Sequence, residues 1–296
     1  MARAAEIVAL RELGLNLGQV KRALGGDAQS LESALAAHQA ALESQVRQVA
    51  NDVEKVRQLR AGLAGGRAPA PGDLASLLRP AARFHVAFEL PWPWGGEPFE
   101  LCDIRSLNFI VGPLGSGKTR LLKRIAEVLP AAVFVGPERT EDAAGAVTRA
   151  QLEADAALKA RVDQALGWLV GDGATLSDAL VALVAELESD GADVLVIDML
   201  EHGLDRATQE ALMAHLRRRG LGRRPIFCTT RSNAILDLDA VGADEAIILC
   251  PANHSPPAYV APFRGAPGYE AIATCLASPE VRARTEGVIA WRPQVA

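Results

Sequence analysis

Eight consecutive residues, Gly112-Pro113-Leu114-Gly115-Ser116-Gly117-Lys118-Thr119, fit the pattern G-x-x-x-x-G-K-[ST] without a mismatch. Glycines at these spacings let the backbone curl, so that successive N–H groups face the oxygens of a bound phosphate chain. Lys118 then reaches the β- and γ-phosphates, and the Thr119 hydroxyl can ligate Mg2+. Arg120 completes this nucleotide-binding run. A second metal group is expected at Asp198, a carboxylate closing the apolar run DVLVID (193–198). Glu201 lies three residues further on. It reads either as a general base for water or as a solvent-exposed loop glutamate. Arg231 follows the apolar run PIFCTT (225–230). It reads either as a stabiliser of γ-phosphate charge or as a surface or structural arginine.

The phosphate chemistry needs a strand entering the loop and a helix leaving it, because the helix N-terminus adds partial positive charge. Both are present: LNFIVG (107–112) is a strand, and RLLKRIAEVL is a helix. The alternation continues. AAVFVG (131–136), DVLVID, PIFCTT and EAIILC (245–250) read as buried strands, and RFHVAFELP as another. Between them, residues 141–170, SDALVALVAELESDG and RATQEALMAHLRRRG read as helices. Short apolar β-runs separated by helices predict an α/β P-loop fold with a mostly parallel sheet covered on both faces.

The first part of the chain is different. Ile7, Val8, Leu10 and Leu13 form a helical stripe ending at Gly14, and Asn16 is placed to cap LGQVKRALGG, which stops at Gly25–Gly26. A long helix is expected over residues 28–63. Leu35, Leu42, Val46, Val49, Val53, Val56, Arg60 and Leu63 follow coiled-coil spacing. An apolar seam of this length needs a covering surface, which is either the rest of the same chain or a second copy, and a homodimer through residues 28–63 is the expectation. GGRAPAPGD (65–73) is a proline-broken linker. The expected organisation is an all-α helical, coiled-coil module over 1–66, a linker over 67–80, the P-loop domain over 81–264 and a C-terminal helical segment over 265–296.

Composition narrows the partners. About half the residues are hydrophobic (49%), enough for a core, and the net charge of −5 argues against a general nucleic-acid binder. The basic run Arg217–Arg219 with Arg223 and Arg224 ends a helix, where positive charge complements the dipole. None of the four cysteines forms a C-x-x-C pair, so buried thiols are expected rather than a zinc site. There is no apolar run long enough for a membrane span, and no signal peptide, so a cytoplasmic location is expected.

LNFIVGPLGSGKTRLL, VLVIDMLEHGLD and PIFCTTRSNAILDL together resemble the ABC-type ATPase core, in the branch with SMC-like and overcoming-lysogenization-defect-like ATPases. The resemblance covers residues 82–252. It implies ATP and Mg2+ as ligands, often with two ATPase heads sandwiching two nucleotides. It also implies an adenine-stacking aromatic before the phosphate loop, for which Phe84, Phe88, Trp92 and Trp94 are candidates, although PWPWGG (91–96) reads as a rigid turn. Three departures matter. Met199 stands where the family has its water-polarising glutamate, Asp178-Ala179-Leu180 follows Leu176-Ser177 where the family has two glycines, and Arg231 stands at the switch histidine. Asp205 does match the family's D-loop aspartate. The expectation is an ATP-binding regulatory or scaffold protein with weak or absent hydrolysis, the alternative being an active ATPase that uses Glu201.

IVALRELGLNLGQVKRALGG and the long helix after it resemble the later helices and the dimerisation coiled coil of MerR-type regulators. That family's helix-turn-helix and wing are missing, so the expectation is a dimerisation element. A MerR-like transcription regulator lacking its DNA-reading segment is the alternative.

Overall fold

The computed structural model describes residues 6–8, 10–11, 17–26, 32, 35, 39, 57, 60, 63, 86–101, 104–218 and 224–284. Most of the expected heptad seam, the linker, Phe84, Cys102, Arg219 and Arg223 lie outside the described residues.

Two strands, β1 (Val86–Glu89) and β2 (Pro98–Leu101), pair antiparallel, with Phe88 opposite Phe99. The main sheet contains β3 (Leu107–Val111), β4 (Ala132–Val135), β5 (Val194–Ile197), β6 (Ile226–Thr229), β7 (Glu245–Leu249) and β8 (Ala258–Tyr259). Its order is β4-β5-β6-β3-β7-β8, parallel throughout except for the edge strand β8. The mixed α/β, mostly parallel architecture expected from the strand–helix alternation is therefore present.

Among the described residues, the helices with defined bounds are α1 (Leu17–Leu24), α2 (Lys118–Val128), α3 (Asp142–Ala154), α4 (Ala156–Gly171), α5 (Asp178–Glu188), α6 (Arg206–Arg218), α7 (Tyr269–Cys275) and α8 (Pro279–Ala283). The alanine-rich stretch is two helices, because Asp155 leaves helical geometry and accepts from the amides of Ala157 and Leu158 to cap α4.

The period-2 pleat sorts the central strands between two cores. Phe109, Leu195, Ile197, Cys228 and Ile247 pack with α4, α5, α6 and α7. Ile110, Val194, Val196, Phe227 and Ile248 face the other way, against Leu121, Leu122 and Ile125 of α2 and Phe88 and Leu101 of the small sheet. Strands buried on both faces explain why these runs are continuously apolar.

The N-terminal helix α1 ends in the Gly25–Gly26 turn, with Gly26 at φ 94°. It sits at the end of α4: the Leu17 amide donates to Asp172 Oδ1 at 2.8 Å, and Arg11 pairs with the same carboxylate.

Candidate functional site

Parallel strands align their C-terminal ends. Here β5, β6 and β3 are consecutive neighbours, so the segments leaving them emerge side by side over about 10 Å. These are residues 198–205, 230–232 and 112–117.

The segment after β3 is built from backbone. A Cβ at Gly112 would meet the carbonyl of Cys250 and the hydroxyl of Ser116. Gly117 stands at φ 91°, and a Cβ there would lie 2.6 Å from Trp94 Cη2. The Trp94 ring is fixed in turn, being buried and donating through Nε1 to Ser255 O at 3.0 Å. The helix α2 begins at Lys118, whose Nζ donates to Gly112 O at 2.8 Å and Pro113 O at 2.7 Å. Burial lowers the Lys118 pKa below its ordinary value. The ammonium is thus folded over the loop it would share with a phosphate. Ser116 is fully buried beneath the loop.

The facing segments contribute side chains. Asp198, at the end of β5, accepts from Thr119 Oγ1 at 2.8 Å and from Thr229 Oγ1 at 2.5 Å. Thr229 Oγ1 also accepts from the Met199 amide at 2.7 Å. Glu201 is 6% exposed, so the solvent-exposed alternative does not hold. Its Oε1 accepts from the Arg231 amide at 2.9 Å, and its Oε2 has no hydrogen-bond partner among the described residues. The Arg231 guanidinium approaches Met199 Sδ at 3.9 Å.

Together the two sides enclose a cavity of about 400 Å³. Leu114, Gly115, Gly117, Lys118, Thr119 and Arg120 line it on one side, and Asp198, Met199, Glu201 and Thr229–Arg231 on the other. Trp92 and Pro93 complete the lining. Of the described aromatics proposed to face a base, only Trp92 lines the cavity. It is exposed, with the Arg120 guanidinium 4.3 Å from its ring centroid. Phe88 and Trp94 are buried in the core.

The residues that the sequence compares with the ABC-type pattern, departures and match alike, have local structural uses. Ser177 accepts from the Leu180 amide as the N-cap of α5, and Ala179 packs against Gly203 so closely that a Cβ there would lie 2.8 Å away. Asp205 accepts from the Thr208 amide at the start of α6. The described arginines of the basic run are engaged within the fold. Arg217 makes a two-pronged pair with Glu245, Arg218 lies over Trp168, and Arg224 donates to the carbonyls of Glu186 and Leu187.

Sequence reading did not anticipate Thr229, which orients Asp198, or Arg139. Arg139 is 7% exposed and donates to the carbonyls of Asp198 and Met199. Thr229 belongs to the TT pair closing β6, a position two strands would have to be aligned to interpret. Nothing in the spacing of Arg139 marks it.

No family model matches the chain, and no curated protein matches it. Among solved structures it is similar to the ADP conformation of an ATP-binding cassette of an ABC transporter, at 14% identity and TM-score 0.40, over 69% of this chain and 99% of that one. It is similar to a bacterial Atm1-family ABC exporter with ATP bound at 16% identity and TM-score 0.39, over 56% of this chain and 36% of that one. A third likeness is to archaeal ribosome recycling factor aABCE1, in complex with stalk protein aP1, at 19% identity and TM-score 0.37, over 57% and 37% of the two chains. At these scores the likeness assigns no activity.

Proposed function

We propose that the chain is an ABC-like P-loop protein that binds ATP with Mg2+ and hydrolyses it slowly. The observation that carries this reading is the contact of Thr119 Oγ1 with Asp198 Oδ2 at 2.8 Å beside the complete phosphate loop. A hydroxyl and a carboxylate so placed are the pair a hard divalent cation takes up. Thr119 and Asp198 would hold the Mg2+, which when bound would neutralise phosphate charge. Lys118 exchanges its two carbonyl partners for β- and γ-phosphate oxygens, and the loop amides hold the chain in line. Arg231 stands on the opposite wall to meet charge developing on the γ-phosphate. Trp92 offers the base an exposed aromatic face.

Hydrolysis uses Glu201 as the base. Support comes from its burial, its place in the cavity lining and its unpartnered Oε2. A carboxylate so placed can accept a proton from an attacking water. Turnover is slow because Met199 occupies the position directly after the metal carboxylate and because Asp178-Ala179 cannot cover a partner's γ-phosphate. ATP therefore acts mainly as a ligand that sets the protein's state, in a homodimer held through residues 28–63. Light scattering on the full chain checks the dimer, and a monomer would refute it.

Thermal melting with ATP and Mg2+ tests the central claim. Ligand at about 100 times its dissociation constant adds roughly 2.7 kcal/mol. Lys118→Ala removes this shift. A wild-type melt unmoved by millimolar ATP and Mg2+ would refute nucleotide binding.

A further inference from the structure

Arg139 lies in the 3-10 turn Pro137–Thr140 after β4 and does not line the cavity. Its Nη1 donates to Gly136 O at 3.0 Å and Asp198 O at 2.9 Å, and its Nη2 donates to Met199 O at 2.7 Å and Leu200 O at 3.4 Å. One guanidinium thus gathers the carbonyls of three consecutive residues where the chain leaves β5. Its planar fork of donors suits this task, whereas a lysine ammonium is a compact point charge.

Placing a cation here carries a cost, because burial away from water disfavours the charged form. Burial lowers the Arg139 pKa below its ordinary value, and the negative charges of Glu201 and Asp198 oppose that shift. Glu138 and Glu186 add to this, but the foremost of the carboxylates that compensate the buried charge are the proposed base and the metal ligand. The turn between them is not one the chain adopts unaided. Met199 stands at φ 52°, a left-handed conformation that costs an L-residue about 1–2 kcal/mol. Leu200, the next residue of the turn, is fully buried. The direction in which the chain runs from Asp198 to Glu201 depends on this turn keeping its shape.

We infer that Arg139 is a positioning residue for hydrolysis: by holding the carbonyls of residues 198–200 it fixes the strained turn that sets the Glu201 carboxylate against the phosphate site. The inference rests on the reading of Glu201 as the base. It differs from a contribution to binding, because Lys118 and Arg120 share no described hydrogen bond with Arg139, and Thr119 meets Asp198 through the side-chain carboxylate and not through the carbonyl that Arg139 holds. Misplacing a catalytic group by about 1 Å costs on the order of 10²-fold in rate. Losing the clamp therefore lowers turnover while leaving affinity in place.

The test compares Arg139→Gln, Arg139→Lys and Glu201→Gln with wild type, using ATP–Mg2+ binding, steady-state phosphate release and thermal melting on the full chain. Arg139→Gln is expected to lower kcat by about 10²-fold with the ATP dissociation constant unchanged. Arg139→Lys, which keeps the charge but loses the fork, is expected to recover part of that loss. If Glu201→Gln turns over like wild type, or wild type shows no turnover, the base reading fails and this inference with it. If Glu201→Gln stops turnover while both Arg139 variants work at the wild-type rate, the base reading stands and the inference is overturned. It is equally overturned if the Arg139 variants lose binding in proportion to turnover, or if neither folds, since Arg139 is then a structural residue only.

Discussion

The two walls of the cavity are built on opposite plans. The wall after β3 is backbone: amides, carbonyls and glycines between Gly112 and Thr119, with Gly115 at φ 80° and Gly117 at φ 91°. The wall after β5 and β6 is side chains drawn from separate segments: Asp198, Glu201, Thr229 and Arg231. A backbone site must be contiguous, because its donors are successive residues of one turn, and its sequence is correspondingly constrained. A side-chain site needs only that carboxylate and hydroxyl arrive at one place. It tolerates Met199 directly after Asp198, with Glu201 reaching the cavity from two residues further on.

The backbone wall is expected to break with the smallest change. Gly117→Ala adds a Cβ 2.6 Å from the Trp94 ring, which is anchored through Ser255, and adds it to a residue at φ 91°. Strain of this kind costs about 1–3 kcal/mol, and here the clash adds to it. Both the melting temperature and the affinity for ATP should fall. Gly115→Ala is the control, at φ 80° with nothing within 4 Å of its Cβ. It carries the backbone strain alone and should cost less. Equal losses in the two variants would mean that contact with Trp94 does not shape the loop.

The same wall should couple binding to protons. Burial lowers the Lys118 pKa from the ordinary 10.5, and phosphate oxygens restore the charged form. ATP affinity should therefore decline as pH rises through the lowered value, with proton uptake on binding visible by calorimetry in that range. The sign for stability is the reverse. In the ligand-free protein the unfolded chain holds its Lys118 proton up to higher pH than the folded one, so this residue's contribution to stability rises with pH between the lowered value and 10.5. A Lys118→Met variant should lose both dependences. An ATP affinity flat across that range would show that the ammonium is not desolvated in the free site.

The contrast also governs how much of the molecule is legible in its sequence. The phosphate loop, Asp198 and the central strands are legible because each is a local pattern: a motif, or an apolar run of fixed length ending in a polar residue. The strands β2 and β8 are not, since PFEL starts at a proline and AY is two residues long. Glu201 shows the limit most clearly. LEHGLD reads as a polar loop, and only the hydrogen bond from the Arg231 amide and the bonds of the Met199 and Leu200 amides to Thr229 of β6 place Glu201 in a buried turn. Arg139 is further out of reach, because its partners are carbonyls, which every residue has.

The smallest effect is expected from the change that looks most like a repair. Met199→Glu restores a carboxylate directly after Asp198, where the resemblance to ABC-type ATPases places the water-polarising residue. The turn works against it. Met199 is left-handed at φ 52°, and its side chain runs toward Arg231, with Sδ 3.9 Å from the guanidinium. A glutamate on that path meets Arg231 first, and a charge-assisted hydrogen bond between them holds the carboxylate away from water. The pair also takes Arg231 from the γ-phosphate. Turnover should therefore rise by far less than the roughly 10²-fold or more that a working base supplies. Met199→Glu combined with Arg231→His removes the competing cation, and a larger gain in the double variant than in the single one is the expected outcome. A single Met199→Glu variant that gained 10²-fold or more in phosphate release would show that the side-chain wall accepts a base from either position, and that the left-handed turn does not direct residue 199 as described.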